Sequence, residues 1–447
     1  MTEQAETTTA LDRRFELTAR GTTARTEILA GVTTFLTMAY IVLVNPAILG
    51  TTGMNVAAIA AATCLAAGLA SILMGMTANV PLTLAPGMGL NAYFAFTVVG
   101  AMGVPWQVAL GCVFISGVAF LILTFAGIRQ LIIAAIPQHL FAAVAGGIGL
   151  FIGFIGLKNA GIDVSSPATW VTMGNLHDPG AMLALFGLVV IAALAAWKVR
   201  GAILIGILAT TLAGWALGLV TFKPEPYDLT AISKTAFQLD LAGVLGLGNS
   251  HGLGLFEILF VFLFVDLFDN IGTLVGVTRR AGLIGPDGKI PRLNRILFTD
   301  SIATMLGSLA GTSTVTSYVE SAAGVQAGGR TGLTAVVTGI LFLLAMFVAP
   351  YAQLVPLAAT APALILVGGL MMAPLVDIEW DDPEVAIPAF LTVAMIPLTF
   401  SIANGLAFGL TAYAIIKLIR GKITTTDWLL LVLAGIFVAR FVWLSAG

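Results

Sequence analysis

Two apolar segments of this chain are broken where an uninterrupted helix is expected, and they constrain its fold more than any other feature. Residues 81–96 (PLTLAPGMGLNAYFAF) open with two prolines and two glycines and suit a helix only from about Leu90. Residues 311–324 (GTSTVTSYVESAAG) begin with a β-type run of Ser, Thr and Val before a short helix-like stretch. Each is too short and too broken to cross a bilayer as an ordinary helix, which needs about 20 apolar residues. One falls third in the first set of apolar segments, the other third in the set starting near residue 254. Paired interruptions at matching places in two halves mark an inverted-repeat transporter, with its site between half-helices near the midplane. Two unrelated re-entrant loops lining a cavity would leave the same positional pattern.

The other apolar segments supply the scaffold. Expected spans run 27–49, 56–76, 83–97, 106–127, 131–157, 180–198, 201–221, 254–277, 296–310, 314–327, 331–350, 354–376, 385–400, 404–419 and 427–445. Hydrophobic residues make up 59% of the chain and charged residues 9%, where a soluble domain carries about 25% charged. That excludes a soluble enzyme, a disordered scaffold and a nucleic-acid binder. The runs are continuous rather than alternating, which excludes a transmembrane barrel. A formal charge of −2 implies no electrostatic partner. The fold class is an all-α polytopic membrane protein. The polar, mixed-charge start (MTEQAETTTALDRRFELTAR) lacks the apolar core and cleavage site of a signal peptide. Cys64 and Cys112, both in apolar segments, read as packing residues rather than a disulfide.

Charge asymmetry sets an expected orientation. Arg13, Arg14, Arg20 and Arg25 precede the first span and put the N-terminus in the cytoplasm. Counting forward, Arg129, Lys198, Arg200, Arg279, Arg280, Lys289, Arg292 and Arg295 also fall inside. Lys417, Arg420 and Lys422 are inside after fourteen crossings, which leaves 427–445 as a fifteenth apolar segment. Either 385–419 is one broken element or 427–445 lies along the interface.

Most charges cluster in four stretches, 1–27, 279–300, 377–384 and 417–427, read as loop punctuation. Three acids instead lie where hydrocarbon is expected: Asp266, Asp269 and Glu320. A carboxylate at the bilayer centre costs at least ~2.5 kcal/mol, so each needs a reason, in helix packing or in function. Asp266 and Asp269 are three apart and share a helix face, with Thr273 four beyond on the same stripe. Two carboxylates this close in low dielectric repel unless they share a proton. That suits a proton-coupled carrier, or one that bonds both donor and acceptor atoms of a flat heterocycle. Glu320 stands near the start of a short helix, and Asn91 at the corresponding point after Gly87-Met88-Gly89, as cap or as ligand. Tyr40, Tyr93, Phe94, Phe264, Phe268 and Tyr318 are near these groups and could clamp a planar ligand or simply pack. No catalytic set appears: His139, His177 and His251 have no partner at metal-ligand spacing, and no phosphate-binding loop is present. An intramembrane aspartyl protease would draw its two aspartates from two helices, one within G-x-G-D, a motif this chain lacks.

Four stretches, TTFLTMAYIVLVNPAIL, ANVPLTLAPGMGLNAYFAF, FVDLFDNIGTLVGV and GTSTVTSYVESAAGVQAGGRTGLTAVVTG, resemble the AzgA-like purine permeases. Those belong to the nucleobase–cation symporter-2, or xanthine/uracil permease, family. The resemblance runs from about residue 12 to 425. It implies a UraA-like fold of fourteen spans in two inverted repeats of seven. A core domain (27–130, spans 1–4, and 254–350, spans 8–11) would move against a gate domain (131–253, spans 5–7, and 351–447, spans 12–14), after a cytoplasmic tail (1–26). It also implies a homodimer in membrane lipid, a purine nucleobase substrate and no cofactor beyond H+ as coupling ion. Matching D-x-x-D-x-x-G-T assigns substrate-binding acids to Asp266 and Asp269 with Thr273 beside them. S-Y-x-E adds Tyr318 and Glu320, and G-M-G-L-N-A adds Asn91. Xanthine- and uracil-type relatives carry a Glu where this chain has Asp269, which argues for adenine, guanine or hypoxanthine. An anion transporter of the same fold is the alternative.

Overall fold

The computed structural model describes residues 10–127, 137–220, 229–250, 252–283, 290, 292–423 and 427–444. Arg129, His251 and Lys289, and the side chains of Phe268, Arg279 and Arg280, lie outside the described residues. A short helix α1 (Ala10–Phe15) precedes α2 (Ala24–Met38), whose first turn is capped by the Thr23 hydroxyl. With α3 (Ile41–Leu49) it forms one span bent at Ala39 and Tyr40, and Pro46 lies inside α3. Next come α4 (Val56–Thr77), β1 (Leu84–Pro86) and the half-helix α5 (Met88–Ala92), which widens to π-type turns over Tyr93–Ala101. Then follow α6 (Trp106–Phe125), α7 (Gln138–Asn159), a hairpin of β2 (Asp163–Ser166) and β3 (Trp170–Met173), α8 (Pro179–Ala196) and α9 (Ala202–Ala216).

After α10 (Leu241–Ser250), the same order begins again. It runs α11 (Gly252–Arg280), α12 (Leu293–Ala310), β4 (Val315–Ser317) with half-helix α13 (Ser321–Gln326), and α14 (Gly332–Ala345). It ends with α15 (Leu357–Met371), α16 (Pro383–Leu398) and α17 (Ile402–Ile419), and α18 (Trp428–Leu444) stands outside the repeat. Among the described residues, each half thus places its strand and half-helix third among seven elements, as the sequence interruptions predict.

Residues 385–419, expected as spans 385–400 and 404–419 or alternatively as one broken element, form two helices. Pro397 sits near the end of α16, Phe400 is left-handed at φ 49°, and the Ser401 hydroxyl caps α17. These features stop one helix and start another, so α16 and α17 are separate and packed together. Beyond them α18 packs on α17 through Phe441 against Phe408, ring centroids 5.2 Å apart, and on α11 through Phe437 against Phe260 at 5.0 Å.

The two halves interlock through small residues. A Cβ on Gly75 of α4 would collide with the Gly332 carbonyl of α14, and one on Gly68 would stand 3.0 Å from the Gly339 carbonyl. Lipid gives helices no hydrophobic reason to associate, so such close backbone approach supplies the packing. Both cysteines are buried and free.

The acid inventory also needs correcting. Glu27 and Asp300 sit at the ends of charged stretches and read as loop punctuation, yet both are fully buried. Glu27 accepts the backbone N–H of Arg330 at 2.8 Å and of Thr331 at 3.3 Å, and the Thr334 hydroxyl at 2.6 Å. It therefore supplies acceptors at the start of α14, where the first amides of a helix have no partner within it.

Candidate functional site

The two interruptions meet. β1 and β4 pair antiparallel in the register Leu84↔Ser317, Ala85↔Thr316 and Pro86↔Val315. The ladder is extended by Gly87 N–H to the Thr314 carbonyl and Tyr318 N–H to the Thr83 carbonyl, both at 3.0 Å. Backbone groups inside a membrane protein must find partners. Each broken segment therefore satisfies the other, which is why neither could be an ordinary loop. The Ser71 hydroxyl completes the edge, receiving the Leu84 N–H at 3.0 Å.

Long helix α11 lies against this pair and carries the first two acids. Asp266 is fully buried and its Oδ2 accepts the Thr304 hydroxyl of α12 at 3.3 Å. The same hydroxyl lies 3.2 Å from the Val315 carbonyl, so Asp266 is tied through Thr304 to β4. One turn on, Asn270 accepts the Ser317 hydroxyl at 3.0 Å. Asp269, between them, is half-buried and faces the first interruption: a Cβ on Gly87 would stand 3.7 Å from its Oδ2 and 2.9 Å from the Thr316 methyl. Gly87 is thus the gap through which Asp269 reaches the strand pair. Thr273 is buried further along α11.

Glu320 is the N-cap residue of α13, but its side chain makes no hydrogen bond to its own helix. Its Oε1 accepts the Tyr40 hydroxyl at 2.7 Å, from the bend between α2 and α3. Its Oε2 is enclosed and has no hydrogen-bond partner among the described residues. Asp269 lies within electrostatic range of Glu320 and Asp300.

The other expected residues are placed as follows. Tyr318 donates its hydroxyl to the Pro86 carbonyl at 2.5 Å, bracing the strand pair. Asn91 is not a cap, since α5 starts after Gly87. It sits inside α5 at zero exposure with both ends of its amide engaged: Nδ2 donates to Asn45 Oδ1 at 2.6 Å, and the Ser313 hydroxyl bonds its Oδ1. Asn45 in turn donates to the Thr63 and Thr312 hydroxyls at 2.7 and 2.9 Å. Three of the expected clamp aromatics pack on neighbouring rings of α11: Tyr93 and Phe94 against Phe262, and Phe264 stacked on Phe260 at 4.1 Å.

Sequence reasoning missed Asn45 and Thr316. Asn45 precedes Pro46 in α3 (IVLVNPAIL), whose other residues are all apolar. A lone Asn in such a helix is the available signal. Thr316 carries a buried hydroxyl with no partner among the described residues, and the alternation of TSTVTS places it on one strand face with Thr314. Among the described residues no His, Cys, Asp and Glu group could hold a metal.

One carboxylate at a half-helix break and another facing its paired break from α11, within a bundle of apolar helices, are the arrangement of a membrane carrier. The fold matches solved transporters: the transmembrane domain of a cyanobacterium bicarbonate transporter, BicA, superposes with a TM-score of 0.62 at 16% identity, over 92% of this chain and 97% of that one. Murine SLC26A9, an anion transporter in its inward-facing state, gives 0.62 at 12% identity over 90% of this chain and 69% of that one. These likenesses are of fold. A sequence model of the permease family, xanthine/uracil type, matches residues 25–408, and the chain belongs to that family, the nucleobase–cation symporter-2 transporters. It is 47% identical over 436 residues to the adenine permease AdeP of Escherichia coli K12, covering 98% of this chain and 97% of the relative. It is 44% identical over 440 residues to the guanine/hypoxanthine permease PbuG of Bacillus subtilis 168, covering 96% and 99%.

Proposed function

We propose that the protein imports a purine nucleobase (adenine, guanine or hypoxanthine) across the cytoplasmic membrane by proton symport. The observation that carries this reading is the enclosed Oε2 of Glu320, without a partner among the described residues, beside the half-buried Asp269. A purine offers N–H donors along its edge, and an acceptor in low dielectric gains most from such a donor. Similarity to adenine and guanine/hypoxanthine permeases supports the same class.

In this reading Asp269 and Glu320 hydrogen-bond the base, with Thr273 and Tyr318 beside them. Asp266 and Asn91 hold the site together, and one of Asp266, Asp269 and Glu320 carries the coupling proton. The core, 27–130 and 254–350, slides with its base past the gate, 131–253 and 351–447, in an elevator-type motion. The N-terminus faces the cytoplasm, and two copies associate in the membrane.

The test is uptake of labelled hypoxanthine and adenine, at two pH values, by cells lacking their own purine carriers and expressing the chain. Competition by purines, not by uracil, with faster uptake at the lower external pH, is expected. Chloride or sulfate flux without purine competition would replace the reading with an anion carrier.

A further inference from the structure

Glu320 is arranged unusually for a helix-capping acid. Such a side chain ordinarily turns back to the first amides of its helix, and this one does not. It reaches across to the first span, where the Tyr40 hydroxyl, on a side chain only 1% exposed, donates to Oε1 at 2.7 Å. Tyr40 is itself fixed by the bend: its carbonyl accepts the N–H of Val44 at 2.9 Å and of Leu43 at 3.0 Å. One carboxylate oxygen is thus claimed by the protein, and the other, Oε2, is enclosed without a partner among the described residues.

We propose that Tyr40 sets the purine selectivity of the site by withholding Oε1, so that Glu320 reads one ligand N–H through Oε2 rather than two through both oxygens. The proposal rests on the purine reading above and adds to it. A free carboxylate matches two parallel N–H donors best. Guanine carries such a pair, its N1–H and 2-amino group side by side, whereas hypoxanthine has N1–H next to a C–H. With the Tyr40 phenol on Oε1 at 2.7 Å, the 2-amino group meets an oxygen whose charge is already shared with another donor, and guanine loses most of the advantage its second donor would give. Tyr40 is a positioning residue: it acts on the base through Glu320.

The experiment is competition of labelled hypoxanthine uptake by unlabelled guanine and hypoxanthine, with the full chain as wild type and as Tyr40→Phe. Thermal-shift titration of both purified proteins with the same two bases runs alongside. For the wild type, guanine is expected to bind no tighter than hypoxanthine. For Tyr40→Phe, guanine should gain about tenfold relative to hypoxanthine, the effect of one charge-assisted hydrogen bond. A role of Tyr40 in packing alone would weaken both bases together and leave their ratio unchanged, and that outcome overturns the proposal. So does a wild type that prefers guanine about tenfold or more, a result that needs no variant. A wild type that takes up adenine alone also overturns the proposal, and one that takes up none of the three bases sinks the purine reading instead.

Discussion

The two interruptions occupy equivalent places in the two halves and pair strand to strand, yet they use their polar residues differently. In the first, Asn91 spends both ends of its amide on Asn45 and Ser313. In the second, Glu320 spends one oxygen on Tyr40 and keeps the other. Pseudo-symmetry sets where a half-helix begins. It does not make both half-helices into binding groups. One fastens the crossing and the other is left with capacity for a ligand, because a buried polar group is stable only when satisfied by protein, water or substrate.

That contrast can be broken most directly at Glu320. Glu320→Gln should cut purine uptake by about 100-fold, the cost of losing a charged acceptor, while thermal stability in detergent stays near wild type. A matching fall in melting temperature would move Glu320 to the fastening side. Gly87→Ala comes next. The added Cβ would crowd the Thr316 methyl at 2.9 Å and stand 3.7 Å from Asp269 Oδ2, so purine affinity should fall about tenfold, in line with the cost of overpacking.

Asn91→Ala probes the other side. It leaves the Asn45 carbonyl oxygen and the Ser313 hydroxyl buried without their partner, which should lower stability by about 2–3 kcal/mol on thermal unfolding. Stability equal to wild type with lost uptake would make Asn91 a ligand instead.

The smallest effect is expected far from the crossing. Glu16 is held below the usual carboxylate range by a hydrogen bond from the Arg292 guanidinium, at 2.8 Å, which ties the N-terminal segment to the start of α12. Its lowered folded value makes this contribution present above the unfolded value and lost as pH falls through the folded one. Wild type should therefore exceed Glu16→Gln in stability at neutral pH by under about 1 kcal/mol, since the pair is half-exposed. The difference should shrink as pH falls below the ordinary glutamate range, through the lowered folded value.

The sequence alone determined the class of molecule, the matched pair of interruptions and three of the buried acids. Apolar runs of bilayer length leave few alternatives, and proline and glycine inside such runs are local signals that need no knowledge of neighbours. Asp266, Asp269 and Glu320 stood out because charge in hydrocarbon is costly wherever it sits. Glu27 and Asp300 escaped notice because they adjoin charged loops in sequence, while their burial is set by helices from elsewhere in the chain. Only the tertiary structure decided which polar groups are already satisfied. Tyr40 and Glu320 are 280 positions apart, and Asn91 and Ser313 are 222 apart. Hydrogen bonds between such distant residues follow from how the halves cross, which leaves no local trace in composition, periodicity or spacing.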